Sequence, residues 1–287
     1  MRKRISVFLI LLFLCIIHTN NIANASLLSD GGRFNMTYVY FGETSRYTEL
    51  VDNTKGSVDL VAISFFDIDE NGELVLTDKY SHSFIQDMHQ RGIKVVPFLS
   101  NHWNISAGRK ALENRHKLAG DVVSAIELFG LDGVNVDIEG LNELDRENYV
   151  DFVRLVREKI NPDKLLSVAV AANPFYIDNL WQGSYDYVKL AGYSDFFVVM
   201  TYDESWQGSM PGPVASSTFL ERSINYALER VPKEKILLGI PFYGRYWKNG
   251  SSYGGYGIGL DDIEILKNRY ESTEYFDETS KSPCLIV

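Results

Sequence analysis

In this chain of 287 residues, the pair best placed to do chemistry is Asp137 and Glu139. They close the run Asp132-Gly133-Val134-Asn135-Val136-Asp137-Ile138-Glu139. Side chains alternate along a strand, so Val134, Val136 and Ile138 face one way and Asn135, Asp137 and Glu139 the other. Turning a polar row inward is costly unless the acids are paired or hydrogen-bonded, and such rows concentrate where acids are used. At about 3.3 Å per residue, the two backbones sit roughly 7 Å apart. Once one carboxyl ionises, its charge makes the other harder to deprotonate. A carboxyl that stays neutral near pH 7 can protonate a leaving oxygen. Glu139, nearest the strand end, is the candidate acid. Asn135, one step deeper, is expected to hydrogen-bond Asp137. The bland alternative is a buried polar network that only supports the fold.

A second cluster, Met200-Thr201-Tyr202-Asp203-Glu204, ends another apolar run. The Tyr202 hydroxyl and the Asp203 carboxylate are placed to reach into the same mouth. Asp203 breaks the alternation with Tyr202, which puts it where the strand turns out. Taken alone, Tyr202 reads equally well as a packed aromatic. Trp103, Trp206 and Trp247 each follow a strand end and offer flat faces for sugar rings, although a single Trp packs more often than it binds. His82 and His89 lie in one short segment but not at metal-ligand spacing.

These residues need elements to hold them. Strand candidates are 34–41, 59–66, 93–99, 131–139, 165–172, 195–202 and 236–242. Helical patterns fall between them, at 109–129, 146–160, 185–191 and 217–230. Alternation of this kind predicts an α/β fold with a parallel sheet and crossover helices. Polar and aromatic residues gather at the strand C-termini (Asp67, Asp69, Asn101-His102-Trp103, Glu139, Asn173, Tyr202-Asp203-Glu204), the face on which a TIM (β/α)8-type barrel carries its site. The competitor is an open doubly wound sheet. No Gly-x-Gly-x-x-Gly turn follows the first strand to support it. Seven strands leave the barrel one strand and one helix short of eight. After Tyr246 the chain becomes rich in Gly and Tyr, as a loop or the start of an inserted subdomain.

The first 25 residues read as a signal peptide: Arg2-Lys3-Arg4, an apolar run from Ile5 to Ile17, and Ala23-Asn24-Ala25 before Ser26. The run is short for a membrane span, so the expectation is an exported protein with no membrane attachment after cleavage. Loss of Arg2, Lys3 and Arg4 takes the formal net charge from −10 to −13. That argues against nucleic acid as a partner. Only Cys284 then remains, so no internal disulfide is possible, and residues 26–287 are of a size to form one domain around one core.

With these residues in hand, the chain resembles glycoside hydrolase family 18, the chitinase family. The family signature Asp-Gly-x-Asp-x-Asp-x-Glu on the fourth barrel strand stands here as residues 132–139, with Asn135 for the middle Asp. The Met-Thr-Tyr-Asp motif of the sixth strand is intact at 200–203. Asn135 and the wording Met-Thr-Tyr-Asp-Glu are most similar to the branch associated with Bacillus-type spores, whose members resemble β-N-acetylglucosaminidases of cortex peptidoglycan. The resemblance implies retaining, substrate-assisted hydrolysis of β-linked N-acetylglucosamine bonds in peptidoglycan or a chitin-like glycan, with no metal or cofactor. Glu139 would protonate the glycosidic oxygen and Asp137 would orient the acetamide N–H. Tyr202 would hydrogen-bond the acetamide carbonyl. Asp203, Asn135, Trp103 and Trp206 would line the sugar site. Family members continue to an eighth strand, so a C-terminally incomplete, inactive relative is the second expectation. A sugar-binding protein without hydrolysis is the third.

Overall fold

The computed structural model describes residues 34–40, 42–251 and 253–287. The signal peptide expected at 1–25 lies outside them. Parallel strands β1 (Met36–Val39), β2 (Leu60–Ile63) and β5 (Lys94–Val95) form one ladder, in the order β1-β2-β5. A second ladder runs β10-β9-β8-β7-β6-β3-β4. Its members are β3 (Phe66–Ile68), β4 (Leu74–Leu76), β6 (Phe98–Ser100), β7 (Gly133–Asp137), β8 (Leu165–Ala171), β9 (Phe196–Met200) and β10 (Ile236–Leu238). Only β3 and β4 pair antiparallel within it. The chain passes from β2 to β3 and from β5 to β6 within a few residues, so the ladders make one wall with seven parallel positions, and the expected strands 59–66 and 93–99 cover the second member of each pair only as far as Phe66 and Leu99. This is the α/β, TIM-type barrel architecture.

The breaks have local causes. Pro97, between β5 and β6, has no N–H to give the ladder, while its carbonyl still accepts from Asn135 N at 2.9 Å. The helix expected at 109–129 is two helices, α3 (Ile105–Glu113) and α4 (Arg115–Phe129), divided at Asn114, where ψ rises to 18°. It also starts earlier, because the Asn104 side chain accepts from Ala107 N and caps it. Before these come α1 (Tyr47–Asp52) and α2 (His82–Gln90); after them, α5 (Arg146–Lys159), α6 (Leu180–Gly183), α7 (Tyr187–Tyr193) and α8 (Ser217–Leu228).

Strands under helices are buried on both faces, and all seven residues of β8 are buried. Val134, Val136 and Ile138 share the main core with Tyr149, Phe152 and Val153 of α5, each aliphatic side chain contributing about 1.5–3 kcal/mol on burial. Gly133 of the signature is required by space: a Cβ there would strike the Leu165 carbonyl oxygen on β8. β7 and β8 therefore approach closely just where β7 begins its run toward the acids.

Beyond β10 the pattern changes. The Gly- and Tyr-rich segment enters an antiparallel hairpin, β11 (Tyr243–Tyr246) with β12 (Tyr256–Gly259). Helix α9 (Leu260–Arg269) and a second hairpin, β13 (Thr273–Asp277) with β14 (Ser282–Ile286), follow. Among the described residues, no further parallel strand joins β10 or the free edge of β1.

Candidate active site

The site lies where β7, the fourth barrel strand, ends. Asp137 is the last residue of β7 and stands in register with Ser100 of β6. Glu139 follows two residues on, and its backbone is clamped by Asn101. The Asn101 Oδ1 accepts from Glu139 N at 2.8 Å, and Asn101 Nδ2 donates to Glu139 O at 2.9 Å. A side chain thus takes the place of a neighbouring strand and carries the ladder geometry past the end of β7.

Burial raises the proton affinity of both carboxyls. For Asp137 desolvation is the larger cause, opposed by the positive field of His102. For Glu139 desolvation again leads, and the charges of Asp137 and Asp203 add to it. A hydrogen bond from the Trp103 side chain works the other way. Oδ1 of Asp137 is buried with no hydrogen-bond donor among the described residues. The Tyr202 hydroxyl, buried in the field of Asp137 and Glu139, is held protonated far above its ordinary value. Gly239 gives its ring room: a Cβ there would come within 2.7 Å of Tyr202 Cε1.

Asn135 is fully buried, but it does not serve Asp137 as expected. Its Oδ1 accepts from the Tyr38 hydroxyl at 2.8 Å, and its Nδ2 donates to Ser167 Oγ at 2.9 Å. The reason is geometric. Ser167 is the in-register neighbour of Asn135 across the ladder, about 4.8 Å away, whereas residues two apart on one strand are separated by about 6.6 Å.

His102 and Trp103, directly after β6, both have left-handed backbones, with φ of 46° and 61°. Non-glycine residues rarely adopt this region, and each costs of order 1–3 kcal/mol. The turn folds the loop back over the strand ends. His102 Nε2 lies 2.7 Å from Asp67 Oδ1, and the Trp103 ring lies 4.8 Å from that of Trp181 while half its surface stays exposed.

Asp203 also has a left-handed backbone, φ 57°, and leaves the strand line as its break in alternation predicts. Both its oxygens are engaged. The Tyr243 hydroxyl and Arg245 Nε donate to Oδ1 at 2.7 and 2.9 Å, and Arg245 Nη2 donates to Oδ2 at 2.7 Å. Arg245 Nη1 binds the Gly255 carbonyl at 2.8 Å, so the β11–β12 hairpin carries this clamp. Trp206 stands apart from the carboxyls. It is exposed, on a loop tied to the hairpin by Gly208 N to Gly254 O at 2.9 Å. Trp247 packs, and its Nε1 donates to Ser209 O at 3.0 Å.

Sequence reasoning missed Asn101 as a clamp, Tyr38 as the partner of Asn135, and Tyr243 and Arg245 as partners of Asp203. Asn101 had a signal in its place at a strand end. Arg245 had none, lying 42 residues from the acid it holds.

A parallel barrel with a pair of buried carboxyls of raised proton affinity at the C-terminal end of one strand has the layout of a barrel glycosidase. The family described as Glycosyl hydrolases family 18 matches residues 36–285, and the chain belongs to it. The chain is 36% identical to the glycosylase YvbX of Bacillus subtilis over 124 residues, 42% of this chain and 36% of that protein. It is 26% identical to the cortical fragment-lytic enzyme of Bacillus subtilis over 174 residues, 59% of this chain and 40% of that one. The matches thus span well under half the length of these curated relatives. Among solved structures, a chitinase from Chromobacterium violaceum superposes with a TM-score of 0.77 at 27% identity, covering 88% of this chain and 81% of that one.

Proposed function

We propose that the chain is an exported glycosidase that hydrolyses β-linked N-acetylglucosamine bonds with retention, in spore cortex or other cell-wall peptidoglycan. The observation that carries this reading is Glu139: a buried carboxyl at the mouth, kept protonated by desolvation and by the charges of Asp137 and Asp203. Such a group is an acid at neutral pH.

In the proposed reaction, Glu139 gives its proton to the glycosidic oxygen as the bond to the anomeric carbon breaks. The substrate's acetamide carbonyl oxygen attacks that carbon from the opposite face and forms an oxazolinium ion. Asp137, whose Oδ1 lacks a donor among the described residues, accepts from the acetamide N–H and stabilises the cation. The Tyr202 hydroxyl donates to the acetamide oxygen. Water then attacks the anomeric carbon and gives its proton to Glu139, and the acetamide is restored. Asp203, fixed by Arg245, sets the field at the acid and lines the sugar site. Asn135 supports the floor of the pocket, and Trp103 and Trp206 offer faces to neighbouring sugars. Residues 1–25 act as the export signal and 26–287 as the catalytic domain. The choice of peptidoglycan rests on the likeness to the cortical fragment-lytic enzyme; chitin is the substrate that the Chromobacterium likeness supports.

The test is release of reducing ends from cortex peptidoglycan and from chitin oligosaccharides by the purified chain and by Glu139→Gln, both first shown to melt cooperatively. Activity lost in Glu139→Gln supports the reading. A folded protein that binds either glycan without turnover would replace it with the sugar-binding alternative.

A further inference from the structure

The wall beside Glu139 is apolar and open to solvent. Gly140 follows the acid directly, with a left-handed φ of 73°, and two side chains cover its α-carbon. A Cβ there would come within 3.2 Å of Trp103 Cε3 and 3.4 Å of Ile105 Cγ1. Ile105, the first residue of α3, is nevertheless 45% exposed. Trp103 in turn packs on Trp181, and the residue before that ring, Leu180, is 64% exposed. Large apolar side chains left open side by side mark a contact surface.

The segments that carry these side chains are tied to the acid. Asn101 Nδ2, which holds the Glu139 carbonyl, also donates to Asn104 O at 3.0 Å. The Asn104 side chain caps the helix that Ile105 opens. Glu143 Oε2, on the loop after the acid, accepts from Leu180 N at 2.8 Å. The Arg146 guanidinium donates to the carbonyls of Asp178 and Gly183, on either side of Leu180. Trp103 and Leu180 keep left-handed backbones, with φ of 61° and 54°, a conformation that persists only where the surroundings over-determine it. The apolar wall is therefore fixed in place next to Glu139.

The chemistry of the leaving sugar says what would meet this wall. Peptidoglycan alternates N-acetylglucosamine with N-acetylmuramic acid, so cleavage of an N-acetylglucosamine bond frees the O4 oxygen of a muramic sugar. That sugar carries a lactyl ether on O3, on the neighbouring carbon. The lactyl methyl therefore lies close to the oxygen that the acid protonates. Chitin offers a hydroxyl at the same place, and a hydroxyl pressed against isoleucine and leucine loses its water with no partner in exchange. We propose that Ile105 and Leu180 form a specificity-determining surface for the lactyl arm of muramic acid, and that the chain thereby prefers peptidoglycan to chitin. The assignment rests on Glu139 being the acid of the reaction proposed above.

The test reads binding and needs no turnover. The full chain carrying Glu139→Gln is titrated by calorimetry with two tetrasaccharides. One is chitotetraose; the other alternates N-acetylglucosamine with N-acetylmuramic acid, its lactyl carboxyls amidated to remove their charge. The muramic ligand is expected to bind about fivefold tighter, the worth of burying one methyl-sized group. Adding Ile105→Ser or Leu180→Ser lowers that ratio, and the two together bring it to unity. Equal affinities in the parent, or a ratio that survives both substitutions, overturns the proposal and leaves the glycosidase reading standing. Loss of both ligands in equal measure also overturns it, because the wall would then serve any glycan. Each variant is first shown to melt cooperatively; should Ile105→Ser not fold, the more exposed Leu180→Ser decides alone. A chain that binds neither tetrasaccharide sinks the glycosidase reading and this assignment together.

Discussion

The ends of β7 and β9 both carry acids, and they treat them in opposite ways. At β7, Asp137 and Glu139 are desolvated, with no cation paired to either among the described residues, and the proton affinity of each is raised. At β9, Asp203 is met by a bidentate Arg245 and a tyrosine hydroxyl, a paired and hydrogen-bonded arrangement that fixes the carboxylate in place. The two ends communicate, because the charge at Asp203 is one of the causes that keep Glu139 protonated. Partners and solvent access, rather than residue type, set the two groups of acids apart.

The contrast can be broken most severely on the β7 side. Asp137→Asn removes the acceptor and the neighbouring charge, and is expected to lower kcat about 10²-fold or more with a smaller change in KM. Steady-state kinetics on a short N-acetylglucosamine oligomer measures this. On the β9 side, Arg245→Ala leaves Asp203 without its counter-charge. We expect an activity loss of about tenfold and a stability loss of about 1–3 kcal/mol, read from denaturant unfolding.

A subtler change sharpens the communication between the ends. Asp203→Asn removes one cause of the raised Glu139 and leaves Arg245 as an uncompensated cation. The alkaline limb of the kcat/KM profile is expected to move to lower pH. A limb that stays in place or moves upward would show that Asp203 does not act on the acid through its charge.

The smallest effect is on stability. The folded-state proton affinity of Glu139 lies above its unfolded one, so the folded chain holds a proton that the unfolded chain releases. That stabilisation is complete below the unfolded value, about pH 4.3, and is lost as pH rises through the raised one. Glu139→Gln is therefore expected to melt a few degrees higher than the parent at about pH 9 and nearly with it at about pH 4. Melting curves at the two pH values check the sign.

Much of this was legible in the residues. The β-branched runs marked each parallel strand, and the alternation from Val134 to Glu139 gave the facing of the acids. Asp203 was expected to leave the strand line and does so. What stayed hidden depends on lateral neighbours. Asn135 bonds Ser167 across the ladder and not Asp137 along the strand, and the register of two strands is not written in either one. Arg245 reaches Asp203 only because a distant hairpin folds over it. Two successive left-handed residues at His102 and Trp103 are uncommon for any non-glycine pair, so local propensity did not announce the reversal. Pro97 was visible, and its effect on the ladder was predictable in kind.

Asn101 extends the rigidity of the sheet beyond the last residue of β7. The Glu139 amide hydrogen sits past the final ladder bond, where loop amides exchange with solvent quickly. Its 2.8 Å bond to a buried side chain means that it will exchange in deuterated water on the timescale of the strand rather than of the loop. The slow-exchanging core of the protein then has an outpost at the proposed acid, and Asn101→Ala will detach it while leaving the protection of Val134 and Val136 in place.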